Sequence, residues 1–156
     1  MLATRTAEET RELGRRLGQA APSSAVLTLS GPLGAGKTVL AQGVLEGMGV
    51  PGPHPSPTFT VIRRYARPGG GWAWHVDAYR LSGPEDLGWD EVLDALVLVE
   101  WPAALLELLP ADRLEATLER VGAEGRRLEI VATGALARAW LEQAHVPALG
   151  SAGAYG

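Results

Sequence analysis

Residues 25–38 read AVLTLSGPLGAGKT, and this stretch decides the fold. Ala25–Ser30 is short, mostly apolar and β-leaning, the composition of a buried strand. Gly31-Pro-Leu-Gly34-Ala-Gly36-Lys37-Thr38 then satisfies G-x-x-x-x-G-K-[ST] at every position. Glycines at 34 and 36 let the backbone aim successive N–H groups at one point, which makes an anion-binding nest. From Lys37 to about Met48 the chain reads as a helix, whose first amides and positive dipole end face the same point. Lys37 is expected to reach the β- and γ-phosphates of a nucleotide, and the Thr38 hydroxyl to join the shell of a Mg²⁺ ion. Gly31, Leu33, Gly34, Ala35, Gly36, Lys37 and Thr38 are the expected nucleotide contacts of this loop. A glycine-rich turn that binds nothing would not need a strand before it, a helix after it and a lysine at this one place.

Composition sharpens that last point. The chain of 156 residues contains one lysine, Lys37, beside 13 arginines, and has no asparagine. The bias is that of a nucleotide-composition effect on the coding sequence, with heat adaptation a weaker alternative because asparagine is thermolabile. Guanine-specific proteins of this class read their base with an Asn-Lys-x-Asp segment, which the sequence lacks, so ATP is the expected nucleotide. With 46% apolar and 21% charged residues the chain has the make-up of one globular domain, and no window approaches the length of a membrane span. The polar N-terminus is unlike a signal peptide. Without cysteine there are no disulfides, thiolate metal sites or cysteine nucleophiles, and the expected compartment is the cytoplasm. A net charge of −4 gives no sign of autonomous nucleic-acid binding.

Outward from the loop, helices alternate with strands. Thr6–Glu9 is a capping box opening a helix over about 7–20, with Leu13 and Leu17 at helical spacing. Residues 49–57, with four prolines, are a loop. Strands are expected at Thr58–Tyr65, at Trp72–Asp77 and at Ala95–Val99, the last ending in Glu100. Ser82–Glu85 offers a second capping box before a short helix, and Pro102 begins a helical turn backed by Leu105, Leu106 and Leu109. Residues 113–121 and 127–132 alternate around the turn VGAEGR, an antiparallel hairpin, and 134–143 is helical. The expected architecture is an α/β, P-loop NTPase-like three-layer domain over residues 1–146, with a mixed, mostly parallel sheet and the hairpin near its C-terminus. The Gly/Ala/Ser-rich segment 147–156 is a mobile tail.

Ligands of open α/β sheets gather beyond the carboxyl ends of the strands, where Asp77 and Glu100 fall. An acid after an apolar strand resembles a Walker B position that holds Mg²⁺, and Glu100 takes that role unless it is an ordinary strand-end acid. Asp77 is a candidate to orient or deprotonate the attacking water or to hold a metal-bound water, against a simple strand-end cap. His75, two residues earlier, shares its face and reads more readily as structural than as catalytic. Arg80 has two readings, transition-state stabilisation or pairing with an acid. Trp72, Trp74 and Trp89 are expected in the core, and Trp101 against the nucleotide. Arg63, Arg64, Arg67, Arg126 and Arg127 are available for a lid, but none forms a lid motif.

In their order and spacing, GPLGAGKT (31–38), SPTFTVIRRY (56–65), HVDAYRL (75–81), EDLGWDEVL (85–93) and VEWP (99–102) resemble the TsaE family, the small bacterial ATPases of tRNA threonylcarbamoyladenosine biosynthesis. The resemblance covers about residues 4–133 and departs from the usual pattern at Ala103, where many members carry an acid, and in the tail. It implies that Ser56–Thr58 is a switch-like loop near the γ-phosphate with Thr58 at the nucleotide, and that Asp77 is linked to hydrolysis. It further implies that Glu100 joins Thr38 at Mg²⁺, and that Thr10, in an E-E-T-x-x-L-G stretch, lies near the nucleotide. The implied activity is slow hydrolysis of ATP to ADP and phosphate by an accessory subunit acting on a TsaB–TsaD heterodimer, which modifies adenosine 37 of ANN-decoding tRNAs. The tRNA is then met only indirectly. Segment 49–57 would report the nucleotide state to that partner, with Arg63, Arg64 and Arg67 at the rim of the docking surface or forming a solvated strand edge. The competing functions are a small-molecule kinase and a nucleotide-dependent binding module.

Overall fold

The strand before the phosphate loop is the axis of the molecule. In a computed structural model, which describes residues 2–55, 62–80 and 94–146, Ala25–Ser30 forms β2. It runs between two parallel neighbours, β5 (Leu96–Glu100) and β6 (Leu114–Val121). Strand β4 (Trp72–Asp77) continues the parallel set beyond β5. Antiparallel strands flank this centre. β3 (Ile62–Ala66) lies outside β4, while β7 (Gly125–Ala132) and then β1 (Leu2–Thr4) lie outside β6. The order is β1-β7-β6-β2-β5-β4-β3, so the sheet is mixed, with its parallel ladders in the middle. Among the described residues three of the six ladders are parallel, and β1, β6, β2, β5 and β4 all run the same way.

Central parallel strands lose both faces to the interior, and β5 shows it with all five residues buried. One face packs on α1 (Ala7–Gln19), α2 (Lys37–Gly47) and α3 (Ala135–Gln143), through a cluster that includes Leu13, Leu17, Leu27, Leu29, Leu40, Leu98 and Trp140. The other face holds a smaller cluster of Val26, Trp74, Val76, Val97, Val99, Leu105 and Leu109. Each fully buried leucine contributes about 1.5–3 kcal/mol, so these two clusters hold the sheet together. Thr6 caps α1 as the sequence suggests, its Oγ1 accepting from Glu9 N at 3.1 Å, while the return bond is displaced by one residue: Glu9 Oε1 accepts from Arg5 N at 3.1 Å, before the N-cap.

Helices α1 and α2 touch backbone to backbone. A Cβ on Gly14 would lie 2.4 Å from the Leu40 carbonyl oxygen, and one on Gly43 would lie 2.2 Å from that of Arg11. Only glycine admits that approach. Helix α3 has no side-chain cap of its own. Asp112, remote in sequence, accepts from Leu136 N and Ala137 N at 2.9 Å each and fills that role.

Several expectations need correction. β1 has no counterpart in the sequence reading, because three residues are too few for a period to show. Trp72 is 53% exposed and lies outside the core, whereas Trp74 is buried at 4%. Pro102 opens a 3₁₀ turn, Pro102–Ala104. The Ser82–Glu85 box, its helix, Trp89, the first residues of the Thr58–Tyr65 strand and the tail lie outside the described residues. None of the described helices is long and apolar enough to cross a membrane.

Candidate functional site

Strand β2 ends at Ser30, and the chain then crosses from sheet to helix in six residues. Gly31, Gly34 and Gly36 have φ of 145°, 80° and 98°, a region that residues with a Cβ rarely adopt. Gly36 stands at the N-cap of α2 without a side-chain cap, so the first amides of the helix stay available to an anion. Lys37 is 5% exposed, and its Nζ donates to the Gly31 and Pro32 carbonyls at 2.6 and 2.9 Å while lying 4.1 Å from the centre of the Trp101 ring. Burial pushes the ammonium below its ordinary pKa, and the nearby Glu100 and Asp77 carboxylates oppose that shift without cancelling it.

Across the loop, β4 and β5 end side by side, with Asp77 in register with Glu100. Both carboxylates are buried, at 8% and 6% exposure. Asp77 Oδ1 accepts from Tyr79 N at 3.0 Å, which caps the 3₁₀ turn Ala78–Arg80. Glu100 accepts from Thr38 Oγ1 at 3.2 Å and is 2.6 Å from His75 Nε2. Immediately after Glu100 the backbone turns left-handed at Trp101, φ 57° and ψ 60°. That conformation costs a residue with a Cβ about 1–3 kcal/mol, and here it accompanies a ring laid over Lys37 and 5.4 Å from Tyr79.

These residues enclose a cleft of about 260 Å³ lined by Leu33, Gly34, Gly36, Lys37, Thr38, Val39, Asp77, Glu100, Trp101 and Arg126. A larger, mainly apolar groove of about 480 Å³ adjoins it, sharing Trp101 and adding Gly31, Pro32, Tyr79, Pro102 and Leu106. The structure therefore brings Lys37, Thr38, Asp77, Glu100 and Trp101 into one place. Gly31 faces the neighbouring groove, and Leu33 lies at the cleft mouth with its side chain 91% exposed. Ala35 is buried under the loop at 1%. Thr10 is 1% exposed and does not line the cleft: its hydroxyl is hydrogen-bonded to Thr4 Oγ1 at 2.6 Å, beneath the β1–β7 pair. Ser56 and Thr58 lie outside the described residues, and so does the side chain of Arg80.

Arg126 is the residue that sequence reasoning left without a role. β6 pairs with β2 only from Leu114 to Thr117, so its last four residues overhang the end of β2 and run beside the phosphate loop. β7 runs back along that overhang and begins at Gly125, two residues before the expected start, which makes Arg126 a strand residue. Its Nε lies 3.2 Å from where a Cβ on Gly36 would stand and is buried without a hydrogen-bond partner among the described residues. An orphaned guanidinium N–H beside an anion nest is a donor awaiting an acceptor. The signal was the length of the strand at 113–121, longer than β2 can pair.

Arg63 and Arg64 of β3 and Arg67 just after it do not share a rim. Arg63 is in register with His75, and Arg64 stacks on Trp74 at 4.5 Å. Arg67 donates to the carbonyls of Pro22 and Ala21 at 2.7 and 3.2 Å, at the far end of the sheet from the phosphate loop. The loop after α2 is also pinned where it is described. Gln42 Nε2 donates to the His54 carbonyl at 2.7 Å, and His54 is buried at 8% with its Nε2 2.8 Å from the Val50 carbonyl.

The model of the family described as "Threonylcarbamoyl adenosine biosynthesis protein TsaE" matches residues 4–128. The chain belongs to the TsaE family. Its curated relatives of that name include one from Mycobacterium bovis, 45% identical over 133 residues, spanning 78% of this chain and 79% of the relative. That of Streptomyces coelicolor is 43% identical over 137 residues, 83% and 93% of the two chains, and that of Bacillus subtilis is 39% identical over 130 residues, 81% and 82%. Among solved structures, that of YdiB from the same Bacillus species superposes with a TM-score of 0.75 at 33% identity, covering 92% of this chain and 91% of the other. A TsaE protein thus carries the cleft just described, and the fold around it is that of a solved α/β relative.

Proposed function

We propose that the protein hydrolyses ATP in the cleft between the phosphate loop and the ends of β4 and β5, and that this turnover serves tRNA threonylcarbamoyladenosine formation as an accessory to a TsaB–TsaD complex. One observation carries the reading: a lysine, a hydroxyl, two carboxylates and an arginine with an unsatisfied Nε–H converge on a nest of backbone amides. Nothing else among the described residues gathers this chemistry.

The donor set fits Mg²⁺, a hard ion that takes oxygen ligands and keeps much of its coordination for phosphates and water. Thr38 Oγ1 and Glu100 Oε2 lie 3.2 Å apart, so two oxygens of the kind this ion takes already face one another beside the loop. Thr38 and Glu100 would hold the ion, and the ion would neutralise charge on the β- and γ-phosphate oxygens.

The rest belongs to the chain. The loop amides and α2 bind the phosphates, and Lys37 moves from the Gly31 and Pro32 carbonyls to the β- and γ-oxygens. Arg126 adds a charged donor from above Gly36. Asp77, held by Tyr79 N–H, orients a water for in-line attack on the γ-phosphorus; the P–O bond to ADP breaks as the new bond forms, and the water's proton leaves through the carboxylate or the departing phosphate. Trp101 closes the side of the cleft against solvent. Purified protein should release phosphate from ATP slowly and only with Mg²⁺, and faster when TsaB–TsaD is added. Absence of turnover under both conditions would overturn the reading.

The apolar groove beside the cleft favours a second reading, a kinase whose acceptor lies against Tyr79, Trp101 and Leu106. Tracing the γ-phosphoryl group separates the two, since the ATPase delivers all of it to water.

A further inference from the structure

Among the described residues, His75 is the one buried polar side chain at the strand ends that the proposed hydrolysis does not use. It is 0% exposed, so neither solvent nor a substrate touches it. Its Nε2 lies 2.6 Å from Glu100 Oε2, and its Nδ1 is buried without a partner among the described residues. A proton on Nδ1 would strand a buried donor, which costs more than an unfilled acceptor lone pair. The proton therefore sits on Nε2 and is donated to Glu100, as the tautomer is set by the hydrogen bond the ring makes. His75 is in register with Leu98, one side-chain step before Glu100 on the same face, so the ring reaches across the strands to the carboxylate.

A glutamate at a strand end can rotate about its last torsion, and a metal-ligating carboxylate must not. We propose that His75 is a positioning residue: its Nε2–H fixes the plane of the Glu100 carboxylate so that its Oε2 stays turned toward Thr38 Oγ1, the two oxygens that would share a divalent cation. This rests on the reading of Thr38 and Glu100 as metal ligands. Burial of His75, the short contact and the orphaned Nδ1 carry it, and a merely space-filling ring would need neither of the last two.

The test is calorimetric titration with ADP over a series of Mg²⁺ concentrations and in EDTA, on wild type, His75→Leu, His75→Gln and His75→Asn. A glutamine amide nitrogen takes the place of Nε2, and an asparagine amide falls short of it. The expected result is that His75→Leu raises the Mg²⁺ midpoint about 10-fold or more and leaves ADP affinity in EDTA unchanged. His75→Gln should restore the midpoint to near wild type, and His75→Asn should not. If the leucine variant fails to fold, the contrast between Gln and Asn decides. A leucine variant with the wild-type midpoint, an equal loss of affinity in EDTA, or Gln and Asn variants that behave alike would each overturn the role of His75. Wild-type protein whose ADP affinity ignored Mg²⁺ would instead overturn the metal reading beneath it.

Discussion

Lys37 shows how much of this site is waiting to be rearranged. Its ammonium donates to two loop carbonyls and lies over an indole face, contacts it can exchange for phosphate oxygens. Lys37→Ala should lower ATP turnover by on the order of 100-fold or more, while circular dichroism shows the fold intact; unchanged turnover would refute the phosphate-loop role. The depressed pKa gives a second test. Phosphates favour the charged form, so over the pH range between the free-state and bound-state pKa values the complex holds more protons than the free protein. Binding there weakens as pH rises, by at most about tenfold per unit. In EDTA, ADP affinity should be flat above the second ionisation of the phosphate, at about pH 6, and begin to fall at a pH below the 10.5 of an ordinary lysine, and Lys37→Gln should remove that fall. Arg126→Ala should weaken ADP binding about 10-fold, the worth of one charge-assisted hydrogen bond. An unchanged affinity would return Arg126 to the hairpin surface. Lys37, Thr38, Asp77, Glu100 and Trp101 were legible because each follows directly from a strand end or a motif. Arg126 was not, since its place depends on how far one strand outruns another. The contact of His75 with Glu100 is not legible either, because the two are 25 residues apart and only the register brings them together.

At the scale of elements, the contact between α1 and α2 is the tightest joint in the molecule. Gly43→Ala would add helix propensity of about 1 kcal/mol. It would also press a methyl carbon to 2.2 Å from the Arg11 carbonyl oxygen, where backbone meets backbone and neither can turn aside. Overpacking should win, with a net loss of about 1–3 kcal/mol in urea unfolding; a gain in stability would show that the helices part at no cost. Asp112→Ala should cost about 1 kcal/mol by uncapping α3, a loss that the same measurement would detect. Helices α1 and α2, strands β2, β4 and β5 and the hairpin could be read from period and punctuation, because each is long enough to show one. The cap supplied by Asp112 and the strand β1 exist only through tertiary contact, which no local pattern records.

Across the whole molecule, nucleotide and partner are expected to be coupled. Arg64 stacks on Trp74 and Arg67 is bonded at the other end of the sheet. If the protein works with a TsaB–TsaD complex as proposed, a docking surface that senses the nucleotide is therefore expected near the cleft mouth. There Leu33 and Tyr79 are 91% and 73% exposed. If TsaB–TsaD reads the nucleotide state through this mouth, pull-down with a non-hydrolysable ATP analogue should exceed pull-down with ADP by roughly 5–150-fold, the usual range of such coupling. Capture indifferent to the nucleotide would refute the coupling.

Strand β1 has a colloidal consequence. β7 is eight residues long, and an open edge of that length is a template on which further strands can add. β1 covers Arg126, Arg127 and Leu128 with only three residues, held down by Leu2 at 3% exposure. Leu2→Asp would lift that cover, leaving β7 exposed to copies of itself. Light scattering should then rise with protein concentration and with time, from a substitution at a residue that does not itself line the cleft.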